Sequence, residues 1–138
     1  MVGKLDKDNF QIELSVRDYE CDLQGVVNNA VYQNYLEHAR HEYLKTIGID
    51  FKKFTDDGIN LTVVKAEIEY KHPLISGDKF LVTVSLRKES RIRLAFYQEL
   101  YLLPDMKLVV KAKITGAAMN TKGRPYIPEQ IAEIFNET

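Results

Sequence analysis

The sequence predicts an α+β domain in which one long helix lies across a face of an antiparallel sheet. Three observations carry this. Residues 10 to 16 alternate apolar and polar side chains, residues 30 to 47 repeat apolar side chains every three or four positions, and four more strand-like runs follow, joined by short turns.

The first strand is FQIELSV, with Phe10, Ile12, Leu14 and Val16 on one face. In the helix, Tyr32, Tyr35, Leu36, Ala39, Tyr43 and Ile47 fall on a single face, and Gly48 stands where a helix C-cap belongs. IDFKKFTDDG reads as a short helical turn or loop. The next strand covers 59 to 70 with Val64, Ala66, Ile68 and Tyr70 alternating, and HPLISGD turns the chain into 80 to 87. Strands over 91 to 103 and 106 to 119 follow, separated by Pro104-Asp105. The last residues hold a Gly/Pro segment and one terminal helical turn.

A chain of 138 residues fits a single domain over 1–138, with no internal repeat or low-complexity tract. Its 45% hydrophobic and 28% charged residues are those of a folded globular protein. Nineteen basic residues are scattered among 20 acidic ones for a net charge of −1, so no broad surface for nucleic acid is expected. Cys21 stands alone and MVGKLDKDNF is too polar for an export signal, which points to a reducing cytoplasm. No apolar run approaches the roughly 20 residues of a membrane helix. A five-stranded sheet around one helix leaves its edges open, and pairing between two chains is the expected remedy: a homodimer.

The chemistry is expected in CDLQGVVNNAVY, residues 21 to 32. Asp22 and the turn at Gly25 lead straight to a helix start, where unpaired N–H groups and partial positive charge suit a developing anion. A carboxylate beside such donors suffices for acyl-thioester hydrolysis, because the thiolate, with a thiol pKa of about 8.5, leaves with little help from a general acid. Taken alone, Asp22 reads as a turn or helix-entry carboxylate; with Gly25, the Asn pair and the patterned helix it reads as catalytic. Asn28 and Asn29 read first as helix caps, a role compatible with presenting an N–H nearby.

Other candidates carry simpler readings. Glu37, His38, Arg40, His41 and Glu42 invite a metal, but both histidines fall away from the apolar arc and His72 stands alone, so a solvated face with a Glu37–Arg40 ion pair is expected and no metal. Cys21 has no histidine beside it and, as the alternate neighbour of Asp22, points the other way. Arg87, Lys88, Arg91 and Arg93 read as a solvated hairpin end, with coenzyme A phosphates as the alternative. Tyr32 and Tyr35 read as core or pocket lining. A Ser nucleophile elbow and a Gly-rich phosphate loop are both missing from the sequence.

The run Tyr19-Glu20-Cys21-Asp22-Leu23-Gln24-Gly25-Val26-Val27-Asn28-Asn29-Ala30-Val31-Tyr32, followed by Tyr35-Leu36-Glu37-His38-Ala39-Arg40, resembles the active-site segment of hot-dog-fold acyl-CoA thioesterases of the 4-hydroxybenzoyl-CoA thioesterase type. Its Val-Asn-Asn-x-x-Tyr helix start is similar to that of acyl-ACP thioesterases, and Gly123-Arg124-Pro125 with Ile127-Pro128 resembles the family's ending. The resemblance implies a hot-dog fold, a long central helix wrapped by a five-stranded antiparallel sheet, and hydrolysis of acyl-CoA or acyl-ACP without a cofactor. It implies Asp22 as nucleophile or general base, the backbone N–H of Asn29 or a close neighbour on the carbonyl, and Gly25, Val27, Asn28, Ala30 and Tyr32 around the substrate. It also implies dimers or pairs of dimers with the acyl pocket between subunits. Many bacterial members carry His where this chain has Asn29, a side chain that cannot serve as acid or base near neutral pH. A non-catalytic acyl-thioester or lipid-binding module on the same fold is therefore the alternative, and a hydroxyacyl-thioester dehydratase would need a catalytic His near the helix.

Overall fold

The computed structural model describes residues 10–136, so the reading of the N-terminus as no export signal falls, but for Phe10, outside the described residues. The elements run β1 (Phe10–Ser15), a single 3-10 turn (Asp18–Glu20), α1 (Asn29–Thr46), α2 (Phe51–Asp56), β2 (Asn60–Tyr70), β3 (Lys79–Lys88), β4 (Leu94–Leu102), β5 (Lys107–Met119), β6 (Pro125–Tyr126) and α3 (Glu129–Asn136). The antiparallel sheet has the order β1-β3-β4-β5-β2, and the two residues of β6 pair with the end of β5 as a sixth strand that the sequence pattern is too short to announce. The expected terminal turn is a helix of eight residues.

The helix α1 lies along β3 and runs the same way. The Tyr35 ring meets Phe80 at 4.6 Å near the start of β3, while Tyr43 meets Phe10 at 5.5 Å, and Phe10 is the register partner of Val84 farther along. At about 1.5 Å per residue α1 is about 27 Å long, close to the roughly 33 Å of the ten-residue β3. Its buried stripe (Tyr32, Tyr35, Leu36, Ala39, Tyr43, Leu44) packs on Phe80, Val82, Val84 and Leu86 of β3 and on Leu100, Val110 and Ala112 beyond. The curved sheet wraps this helix, which is the hot-dog arrangement.

This alignment gives the molecule two ends. Asp22, the start of α1, Leu74 and the end of β2 share one end; the last turns of α1, the start of β2 and α3 share the other.

The pattern in β2 misleads. Val64, Ala66 and Tyr70 are exposed and only Ile68 is half-buried, because β2 is an edge strand and its register slips between Val63 and Lys65 opposite β5. A bulge of this kind turns side chains off a simple two-residue alternation.

Candidate active site

After β1 the chain makes its 3-10 turn and Glu20 folds back into the core. One of its carboxylate oxygens, Oε1, accepts from the Arg17 N–H at 2.8 Å and from the Tyr35 hydroxyl at 2.8 Å. Ser76 donates to the Asp18 carboxylate from the opposing loop. The next seven residues form a tight hairpin closed by a bridge between Cys21 and Val27. At its tip the Gly25 N–H donates to the Asp22 carbonyl at 3.0 Å, and Gly25 has φ +82°, the left-handed backbone that favours glycine.

Asp22 holds this turn with its own side chain. Oδ1 accepts from the Gln24 N–H at 2.8 Å and the Val26 N–H at 3.4 Å, an Asx turn, while no partner is found for Oδ2 among the described residues. The carboxylate is exposed and oriented, with one oxygen committed and one available.

The rest of the segment fixes where the helix begins. The Val27 N–H donates to Leu74 O at 2.9 Å, the Leu74 N–H donates to the Tyr32 hydroxyl at 3.0 Å, and the Asn28 N–H donates to Glu20 O at 3.1 Å. Val27 and Tyr32 are thus buried supports beneath the turn, whereas Asp22, Gly25, Asn28, Asn29 and Ala30 are exposed above it. Asn28 is the N-cap: its Oδ1 accepts from the Ala30 N–H at 3.0 Å, which leaves the Ala30 N–H occupied. Asn29 is the first helical residue. Its N–H has no intrahelical acceptor by position, and none is found among the described residues. The first turn of α1 holds no acidic side chain to offset the positive end of the helix.

Two expectations for the helix surface are corrected. No Glu37–Arg40 ion pair forms: the Arg40 guanidinium instead donates to Gln98 Oε1 at 3.0 Å and lies 5.9 Å from the centre of the Phe96 ring. His41 is half-buried rather than solvated, and burial pushes its pKa down; His38 is exposed as expected. The reason is a cleft of about 90 Å³ whose wall includes Glu37, Arg40, His41 and Leu44 together with residues of β2, β3, β4, β5 and α3.

Sequence reasoning missed this cleft, whose lining comes from six elements. The available signal was Gly116-Ala117-Ala118 inside β5, since small residues in a strand leave space or let a neighbour approach. A Cβ on Gly116 would meet Thr62 O at 3.2 Å. None of the cleft's lining residues belongs to the Asp22 turn, and along α1 the cleft residues stand about 12 to 22 Å beyond Asn29.

Cys21 is half-buried, and burial pushes its thiol up, which disfavours the nucleophilic thiolate. Lys88, Arg91 and Arg93 are exposed on the β3–β4 hairpin, at the end of the sheet away from Asp22. Among the described residues no helix is long and apolar enough to cross a membrane.

Residues 16–135 match the family model described as thioesterase-like superfamily. The chain belongs to this superfamily. This thioesterase is 39% identical to the chloroplastic acyl-acyl carrier protein thioesterase ATL3 of Arabidopsis thaliana, over 96% of this chain and 70% of the relative. It is 30% identical to the long-chain acyl-CoA thioesterase FadM of Escherichia coli, over 82% of this chain and 85% of that protein. The crystal structure of Slr0204, a 1,4-dihydroxy-2-naphthoyl-CoA thioesterase from Synechocystis, superposes with a TM-score of 0.88 over 94% of this chain and 96% of its own, at 19% identity, and so shares the fold. Thioester hydrolysis is the activity of the family to which this thioesterase belongs.

Proposed function

We propose that this thioesterase cleaves acyl-CoA or acyl-ACP to a free acid and a thiol, with Asp22 as nucleophile or general base and the Asn29 N–H on the carbonyl oxygen. The observation that carries the reading is the pairing of a half-committed carboxylate with an uncommitted helix N–H on one rigid segment. As nucleophile, Asp22 adds to the thioester carbon, the oxyanion gathers at the helix start, and the C–S bond breaks to release thiolate and leave an acyl–aspartyl anhydride. Water then hydrolyses the anhydride to acid and restores Asp22. As general base, Asp22 takes the proton of a water that attacks the same carbon. Both routes use a carboxylate and N–H donors, and neither draws on a metal.

Asn28 sets the cap that keeps Asn29 free, while Gly25, Val27 and Tyr32 hold the turn. The two relatives reported act on different carriers, and both carriers stay within the proposal.

The working unit we propose is a homodimer joined along β2, with a pair of dimers as the larger form. β2 is an eleven-residue edge strand, and it exposes Val63 at 51%, Val64 at 38% and Tyr70 at 45%. Antiparallel pairing of two such edges sets the end of one beside the start of the other. Tyr70 donates to Asn29 O at 3.4 Å, and Thr62 and Val63 border the cleft. Pairing therefore brings the Asp22 end of one chain to the cleft of its twin. A lone half-buried cysteine suits a reducing cytoplasm as the setting.

A second reading has its own observation: Asp22 is a turn former whose Oδ1 already accepts from two N–H groups. Asp22→Asn separates the two, because asparagine keeps the acceptor and loses the carboxylate. Thiol release from short, long and aromatic acyl-CoAs and from acyl-ACP should collapse in Asp22→Asn with the fold intact. Equal rates would leave Asp22 a structural residue; saturable binding without hydrolysis by the wild type would make the chain an acyl-thioester-binding module.

A further inference from the structure

We propose that the cleft beneath α3 receives the hydrocarbon tail of the acyl group and that Ile131 is its closed end, the side chain that sets the longest chain accepted. The inference rests on the reading of the chain as an acyl-thioester hydrolase.

The cleft has a direction. Glu37, Thr62 and Val63 at one side are exposed; Arg40, His41, Leu61 and Phe96 are half-buried; Leu44, Leu86, Leu94, Ile114, Ala117 and Ile131 are buried. Along α1 the same order appears on one stripe, from Glu37 through Arg40 and His41 to Leu44, positions that share a helix face. A polar mouth grading into an apolar floor fits an amphiphile entering tail first, since burying a polar group at the floor without a partner is costly. Under the β2 pairing proposed above, the mouth faces the Asp22 turn of the second copy, so the carbonyl stays at the entrance.

Ile131 is the lining residue that α3 contributes, and it is 1% exposed. The helix is held from its start, with the Ile131 and Ala132 N–H groups donating to Pro128 O at 3.0 and 2.9 Å. Ile134, one turn on, is buried and anchors α3 outside the cleft. Leu86, Leu94 and Ile114 are set in strands paired on both sides, so the floor is fixed by the sheet and closed by Ile131. The cleft volume is only about 90 Å³, so truncating one side chain at its floor enlarges it by a substantial fraction.

The test is the acyl-length profile of kcat/KM on butanoyl- to hexadecanoyl-CoA for the wild type, Ile131→Val, Ile131→Ala and Ile134→Ala. Ile131→Ala should move the fall-off toward longer chains by about two carbons, since truncation opens a cavity of roughly the lost volume. Ile131→Val should move it less, and Ile134→Ala, which loosens the same helix, should leave it in place. A folded Ile131→Ala with the wild-type profile, or an equal shift in Ile134→Ala, overturns the proposal. Calorimetric titration with saturated fatty acids of the same lengths reads the cleft without turnover. If the wild type releases no thiol, the hydrolase reading falls alone. A shift of the best-bound acid to longer chains in Ile131→Ala then still supports the cleft's closed end, and an unchanged order overturns it.

Discussion

Gln98 of β4 joins the sheet to the helix through Arg40. Its Oε1 accepts from the Arg40 guanidinium at 3.0 Å, and its Nε2 donates to the Leu36 carbonyl of α1 at 2.9 Å, all with Gln98 1% exposed. Burial holds the Arg40 pKa below its ordinary value, so the guanidinium depends on this acceptor. Gln98→Leu keeps the volume and removes both bonds. We expect a loss of about 2–3 kcal/mol in urea unfolding, because a partly desolvated charge is left without its acceptor. A loss below about 0.5 kcal/mol would mean that water replaces the amide fully.

The Asn28 cap governs both stability and the free N–H beside it. Asn28→Ala should cost about 1 kcal/mol, the usual worth of an N-cap, and should lower kcat more than it raises KM. Asn28→Asp keeps an acceptor for the Ala30 N–H and should restore the midpoint of thermal unfolding. Unchanged kcat in a destabilised Asn28→Ala would detach the helix start from the chemistry.

Gly25 tests the turn without touching a side chain. A Cβ there meets nothing within 4 Å, so Gly25→Ala suffers backbone strain at φ +82° and no clash. The expected cost is about 1 kcal/mol, with a fall in kcat as the turn that aims Asp22 relaxes. Measuring both in one preparation separates strain from global unfolding.

His41 gives the stability a dependence on acid. Burial in the cleft wall disfavours its charged form, Arg40, His38 and Lys45 add to this, and Glu37 opposes it. The unfolded chain therefore takes up a proton near the ordinary value of 6.5 while the folded chain waits for lower pH. Between those points the unfolded state binds more protons, so the His41 contribution is whole above the ordinary value and is lost as pH falls. Urea midpoints at successive pH values should decline on acidification, and His41→Gln should flatten part of that slope.

The β2 edge is open to a direct test. Val63→Glu puts a charge on an exposed edge residue, which opposes pairing without burying anything in the core. Sedimentation should show a shift to monomer, with thiol release lost and circular dichroism unchanged. A folded, active monomer would overturn the composite site.

Much of this was legible in the sequence because it depends on neighbours along the chain. The stripe of α1 matched to within a residue at each end, and the strands over 10–16, 59–70, 80–87 and 106–119 shifted by one residue or less, since period and turn chemistry are local signals. The strand expected from 91 begins at Leu94, because Glu89 and Ser90 close the hairpin onto Arg93 O and hold Arg91–Arg93 in the turn. The Asn28 cap was legible for the same local reason. The Glu37–Arg40 pair was not, because a buried amide 58 residues away from Arg40 competes for the guanidinium, and no helical spacing reveals it.

By itself, then, the sequence determined the helix, most of the strands, the Asp22 turn and the family, all of them written in contiguous residues. Only the tertiary structure decided that β2 is an exposed edge, that Val27 and Tyr32 lie beneath the turn rather than above it, and that a cleft opens among α1, the sheet and Ile131 of α3. Those features arise where strands distant in the chain pack together, and packing volume is a property of the assembled elements rather than of any one segment.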